Sequence, residues 1–358
     1  MSESVDVLSA PLGDYLVLAR PGPQRSQTLR ILNPVATWIW QSHCAGLCGE
    51  EIAELLAARF QLPLEQARAD VARLLASEDD AIAAVPLWTL HLADRLITLT
   101  VDDPVLAAPL ERITHHLWVE NSLPPDTCLH LAGTAAAWRL EVDNVTVAAG
   151  VAPDDAVVRT VAELVEAACA TDQRLLVLHA AGVSWAGRGL LLIGPGGAGK
   201  TTLTAALNAS GWALLSDDVI PVTPTGQLLG LGMSLCLKAG SWPALAPWLP
   251  SLDGAPLVER AGQMVRFPPP PGPIHRGPLP TAAFLFPCYQ AGREAVLEPL
   301  DPVRVLQGLI EAESVIPDLT QDKLLALTRW IASAPGFALT YPDLESTLNL
   351  IAGLPITS

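Results

Sequence analysis

The stretch LLLIGPGGAGKTTLTAALNAS, residues 190–210, decides how the chain is read. Leu190 to Ile193 is an apolar run of the kind that forms a buried strand, and Leu203 to Ser210 reads as a helix. Between them, Gly194, Pro195, Gly196, Gly197, Ala198, Gly199, Lys200, Thr201 and Thr202 fit G-x-x-x-x-G-K-[ST] without a mismatch. Glycines let consecutive backbone N–H groups turn toward one anion, and the following helix aims the positive end of its dipole at the same place. Lys200 would then place a point charge on the β- and γ-phosphates, and the Thr201 hydroxyl would complete a Mg²⁺ shell. Only Lys200, Lys238 and Lys323 are lysines, beside eighteen arginines. A chain so sparing of lysine that keeps one at this position argues against a merely solvated role for it. The expectation is a nucleotide site with Mg²⁺ in an α/β domain.

Downstream, Trp212 to Leu215 reads as a short apolar strand ending in Ser216-Asp217-Asp218. Two adjacent carboxylates at the end of a core strand are costly unless a cation or a proton-transfer role compensates them. In regular pleat they would face opposite sides, so the expectation is that the strand stops near Ser216 and frees both. A solvated turn with a helix cap is the plain alternative. His179 lies 15 positions before Gly194, and Asp217 lies 17 positions after Lys200.

With these spacings, LHAAGVSWAGRGLLLIGPGGAGKTTLTAALNASGWALLSDDVIPV resembles the core of HPr kinase/phosphorylase and its related kinases. More loosely the resemblance runs from about residue 86 to the C-terminus, through Lys238, Arg266 and the stretch 286–300. It implies phosphoryl transfer to a hydroxyl, with Asp217 as proton acceptor, His179 beside Asp217 tuning it, and Asp218 with Thr201 on Mg²⁺. Lys200 and the loop amides would stabilise the transferred charge. Lys238 and Arg266 are candidates for substrate or γ-phosphate contact, with a solvated surface role as the alternative for each. Where that family carries a metal-supporting Glu, the best alignment holds Gln227, which puts the reverse, phosphorylase, reaction in doubt.

The first 80 or so residues signal a separate module. Strands are expected at Tyr15 to Leu18 and Thr28 to Ile31, then three helices. Asn33-Pro34 caps and opens the first, through Val35, Trp38 and Ile39. The second packs Ile52, Leu55, Leu56 and Phe60, and the third, entered at Pro63, packs Leu64, Ala67, Val71, Leu74 and Leu75. Such a layout can be a winged-helix DNA reader, but the last helix balances Arg68 and Arg73 with Glu65 and Asp70, so no phosphate-tracking face exists. The phrase LNPVATWIW…EEIAELLAARFQLPLEQARADVARLL resembles the PqqD-like domain over about residues 10–78. That resemblance implies capture of a leader peptide as an added strand in modified-peptide (RiPP-type) biosynthesis. A docking module without peptide binding is the alternative.

Among 358 residues, half are apolar and 16% charged, and the formal net charge is −16. This excludes a disordered chain and makes nucleic acid or an anionic membrane a poor partner. No apolar run is long enough to span a bilayer and no export signal opens the chain, so a cytoplasmic protein is expected. Six scattered cysteines then read as thiols, and His43-Cys44 with Cys48 lacks the second pair a zinc site needs. The expected division is a docking or peptide-binding domain at 1–85, an N-terminal kinase part at 86–175 and a phosphate-loop kinase core at 176–358. The expected activity is an ATP-dependent kinase acting on a Ser/Thr hydroxyl of a peptide or protein. A small-molecule kinase and a nucleotide-dependent switch without transfer chemistry are the competing readings, and a homo-oligomer is left open.

Overall fold

The computed structural model describes residues 8–12, 15–20, 27–32, 34–44, 47–60, 62–75, 85–120, 123–171 and 173–354. Two compact units divide the chain, one within residues 1–88 and 99–104, the other within 89–98 and 105–358. In the first, β1 (Leu8–Leu12), β2 (Tyr15–Arg20) and β3 (Gln27–Leu32) make an antiparallel meander. β3 also pairs with the start of β4 (Val85–Leu92), Gln27 opposite Leu87. β1 adds to the two strands expected from sequence. Its proline hides it from a strand reading, and an edge position is where a strand tolerates proline.

The helices α1 (Pro34–Cys44), α2 (Gly49–Phe60) and α3 (Leu64–Leu75) enclose Ile39, Ile52, Ala53, Leu56, Ala67 and Val71. Pro34 opens α1 as expected, while Asn33 lies outside the described residues. Two residues expected on the packed faces, Leu55 and Leu64, are exposed instead. In α2 the buried arc runs through Ile52, Ala53 and Leu56, which leaves Leu55 at its margin.

In chain order there follow β5 (Arg95–Val101), reached by a turn at Ala93-Asp94, and α4 (Pro104–Thr114). β6 (Thr127–Thr134), β7 (Ala137–Val142) and β8 (Val145–Gly150) form an antiparallel meander. Asp143 and Asn144, both at positive φ, turn β7 into β8 in the hand that suits strand twist. α5 (Pro153–Cys169) packs through Val157, Thr160 and Leu164.

The strands that position the candidate site come next: β9 (Leu176–Trp185), β10 (Arg188–Ile193), then α6 (Lys200–Ala209), β11 (Ala213–Ser216), β12 (Val219–Val222) and β13 (Leu228–Leu229). A small sheet of β14 (Leu237–Lys238), β15 (Leu257–Arg260) and β16 (Gln263–Arg266) surrounds the short helix α7 (Trp242–Leu245) in sequence. The chain ends with β17 (Pro278–Leu279), β18 (Thr281–Tyr289), β19 (Val296–Leu300), α8 (Pro302–Glu311), α9 (Gln321–Ala332), β20 (Gly336–Tyr341) and α10 (Leu344–Ala352).

The main sheet runs β17-β13-β12-β9-β10-β18-β20-β19, with β11 paired to β9 beside β12. β10, β18 and β20 are mutually parallel, and β9 and β19 run against them. Alternation along β10 splits its side chains between two cores, as a strand covered on both faces requires. Leu190 and Leu192 join Leu203, Leu207, Leu339 and Ile351 on one face. On the other, Leu191 and Ile193 join Phe284, Val305, Leu327 and Trp330. This is a mixed α/β architecture, with α6 and α10 on one side of the sheet and α8 and α9 on the other.

Candidate active site

The loop of residues 194–199 leaves β10 at the fully buried Ile193 and delivers the chain into α6 at Lys200. Gly197 and Gly199 have φ of +86° and +88°, a conformation that residues with a Cβ rarely adopt. Side chains at Gly196 and Gly197 would point into open space, so the loop's outer face is clear. At Gly199 a Cβ would collide with the Tyr341 hydroxyl, which donates to the Ala198 carbonyl at 3.5 Å. β20 therefore supports the loop from beneath through a single tyrosine.

Lys200 is only 6% exposed. Its Nζ donates to the Gly194 carbonyl at 2.6 Å and the Pro195 carbonyl at 3.3 Å, folding the charge back along the loop. Burial pulls its pKa down; Asp218 opposes that pull and Lys238 adds to it. Among the described residues no carboxylate makes an ion pair with it. A buried ammonium satisfied only by carbonyls is costly, and an anion seated on the loop would relieve that cost.

The acidic pair follows β11, where the strand breaks at Ser216 and resumes as β12 at Val219. A bulge between Leu214 and Ser216 shifts the pairing with β9, and the Ser216 hydroxyl accepts the Val219 N–H at 3.3 Å. The strand does stop where expected, yet the two carboxylates are not both freed. Asp217 turns inward, 4% exposed, and accepts the Cys236 N–H at 2.8 Å. Burial first, and the neighbouring Asp218 second, push its pKa up to about 7. Asp218 turns outward, its side chain 47% exposed. The Thr201 hydroxyl lies on the Asp217 side, donating to that residue's carbonyl at 3.4 Å. Thr202 is half-buried in the first turn of α6.

His179 is brought to the pair by β9, whose Cα partner at that position is Val219. Its Nδ1 stands 3.3 Å from Asp218 Oδ1, both side chains half-exposed. The sequence reading puts His179 beside Asp217; the structure puts it on Asp218, because the bend after Ser216 sends Asp217 into the core and leaves only its neighbour on the histidine's side. Lys200, His179, Asp217, Asp218 and Thr201 thus share one end of the sheet.

Other expected residues fall differently. Lys238 is exposed on β14 and within electrostatic reach of Lys200. Arg266 is taken up by structure: it donates to the Asp253 and Ala255 carbonyls at 2.6 and 3.2 Å and lies 4.9 Å over the Trp242 ring. Gln227 is held in the turn joining β12 to β13, its N–H donating to Thr223 Oγ1 at 3.0 Å. From Val219 opposite His179, β12 runs to Val222 opposite Leu176, which sets that turn roughly 10 Å farther along the strand. Gln227 therefore does not reach the carboxylates. Arg260, which the sequence did not single out, comes nearer: from the end of β15 it donates to Cys236 Sγ at 3.3 Å, on the residue whose N–H Asp217 accepts, and its charge opposes the rise at Asp217. No local signal separates Arg260 from Arg266; only the fold of the hairpin does.

Among the described residues, no group of three or more His, Cys, Asp or Glu forms a metal cage, so a cation here would need ligands from a bound phosphate. The His43 and Cys44 side chains lie outside the described residues, and Cys48 is exposed, its N–H donating to Glu51 Oε2 at 2.8 Å. No helix among the described residues is long and apolar enough to cross a membrane.

The chain is thus a mixed α/β protein with a small strand-and-helix module at its start. Residues 23–79 match the family described as coenzyme PQQ synthesis protein D (PqqD). This match takes in β3 and all of α1 to α3, and makes the module a PqqD-like domain, of a family of recognition elements that bind leader peptides. No match was found among curated proteins.

Proposed function

We propose that the second unit is a kinase that transfers the γ-phosphate of ATP to a hydroxyl, most simply a Ser or Thr of a peptide delivered by the PqqD-like domain. The observation that carries this is the gathering of a buried, carbonyl-bound Lys200 and an outward His179–Asp218 couple at the mouth of one glycine loop. The loop amides and the N-terminus of α6 would hold the phosphates, and Lys200 would swing from its carbonyls onto the β and γ oxygens. Thr201 and Asp217 would hold Mg²⁺, which when bound neutralises phosphate charge. The chemistry suits it, because a buried carboxyl with its pKa raised to about 7 gains most from a cation.

Asp218 is the reachable proton acceptor. His179 orients it and shares the proton, so the attacking hydroxyl loses its proton as the bond to phosphorus forms. This exchanges the roles first assigned to the two aspartates. A carboxylate suffices as base because loose phosphoryl transfer needs positioning more than a strong nucleophile.

The test is incubation of the full chain with γ-labelled ATP, Mg²⁺ and extract from its own cells, followed by separation of peptide from small molecules. Label on a short peptide supports the reading. Label confined to a metabolite removes the peptide part of it, and release of free phosphate alone removes the kinase.

A further inference from the structure

Tyr289 closes β18 with 57% of its surface exposed. β18 and β20 run parallel with Tyr289 and Tyr341 in register, so both rings leave the same face of the sheet and meet edge to face, centres 5.6 Å apart. Tyr341 is the residue whose hydroxyl meets the Ala198 carbonyl under the loop. Standard covalent geometry then puts the exposed ring within about 12 Å of that carbonyl. An extended nucleoside triphosphate spans at least that far from its base to its terminal phosphates. The strand end that carries the ring is tied down, since the Gln290 N–H donates to the Tyr341 carbonyl at 2.8 Å and joins the end of β18 to β20.

β10, β18 and β20 all point the same way, so the glycine loop, Tyr289 and Tyr341 lie at the carboxyl ends of the parallel strands. Open α/β sheets hold their ligands at that edge. A solvent-facing aromatic within a nucleotide's reach of a phosphate cradle has the chemistry to stack a base, because every base offers a π-face. We propose that Tyr289 is the platform on which the base of the bound nucleotide stacks while its phosphates sit on residues 194–200. The inference rests on the nucleotide reading above and adds where the base goes. Stacking alone does not choose among bases, so GTP should use the platform as ATP does.

The test is calorimetric titration of the full chain, with Mg²⁺ present, by ATP, GTP and inorganic tripolyphosphate. Tyr289→Ala should weaken ATP and GTP about tenfold or more, by the usual worth of one stacked base. Tripolyphosphate, which has no base, should bind this variant as it binds wild type, and Tyr289→Phe should keep wild-type ATP affinity. If Tyr289→Ala leaves ATP untouched while wild type binds both ligands, the platform is wrong and the phosphate cradle stands. Equal weakening of ATP and tripolyphosphate also overturns it, since the ring would then act only by propping the loop through Tyr341. Failure of wild type to bind either ligand removes the cradle and the platform together.

Discussion

The helical trio of residues 34–75 and the loop-and-carboxylate region of residues 194–218 bury opposite kinds of side chain. The trio encloses six apolar residues and keeps its charges outside, where Arg68 donates to Glu50 at 2.9 Å in open solvent. The loop region takes Lys200 and Asp217 to 6% and 4% exposure without pairing them to each other. Apolar burial contributes stability roughly in proportion to area, whereas a buried, unpaired charge subtracts from it. The first region is built to hold its shape. The second accepts a cost that only a ligand would offset.

The contrast is broken first by stability measurements. Leu56→Ala, in the middle of the trio, should destabilise that unit by about 2–5 kcal/mol in urea unfolding while ATP affinity stays unchanged. At Asp217 the sign is reversed. Its folded pKa, about 7, stands above the usual 3.8, so the folded chain holds the proton more tightly than the unfolded one. The cost of burying this one carboxyl is therefore absent below about pH 4 and grows as pH rises to about 7. In the presence of a chelator, Asp217→Asn should gain up to about 4 kcal/mol over wild type above neutrality and nothing in acid. Parallel curves for the two proteins across that range would show that the carboxyl is not buried at a cost.

A smaller effect sharpens the view of the loop. Gly199→Ala should lose about 1–3 kcal/mol, because alanine resists a φ of +88° and collides with Tyr341. Combined with Tyr341→Phe the loss should be less than the sum, since part of the strain is relieved; strict additivity would put the clash elsewhere. Least of all, Arg68→Ala should leave the unfolding midpoint in place, as exposed ion pairs contribute little.

The same contrast explains what the sequence discloses. Local chemistry is legible: Pro34 opens α1, and Asp301 caps α8 by accepting the Arg304 N–H at 2.9 Å. The glycine loop falls between the strand and helix its own spacing demands. What depends on register or distant chain is not legible. A bulge near Ser216 decides which aspartate meets His179, and a hairpin decides that Arg260 rather than Arg266 approaches them. Tyr341 supports the loop from 143 positions away in sequence, which no spacing rule reaches. Leu55 and Leu64 fail for a milder reason, because an alanine claimed the buried arc one of them was expected to share.

If the outward carboxylate at the loop mouth moves a proton during phosphoryl transfer, the decisive comparison is transfer by Asp218→Asn and by wild type, with ATP affinity measured on both. Transfer should fall by about 10²–10⁴-fold in the variant, the usual worth of a positioned acid–base group, while ATP binds each protein alike. Undiminished transfer by the variant, or a wild-type chain that binds no ATP, would contradict it.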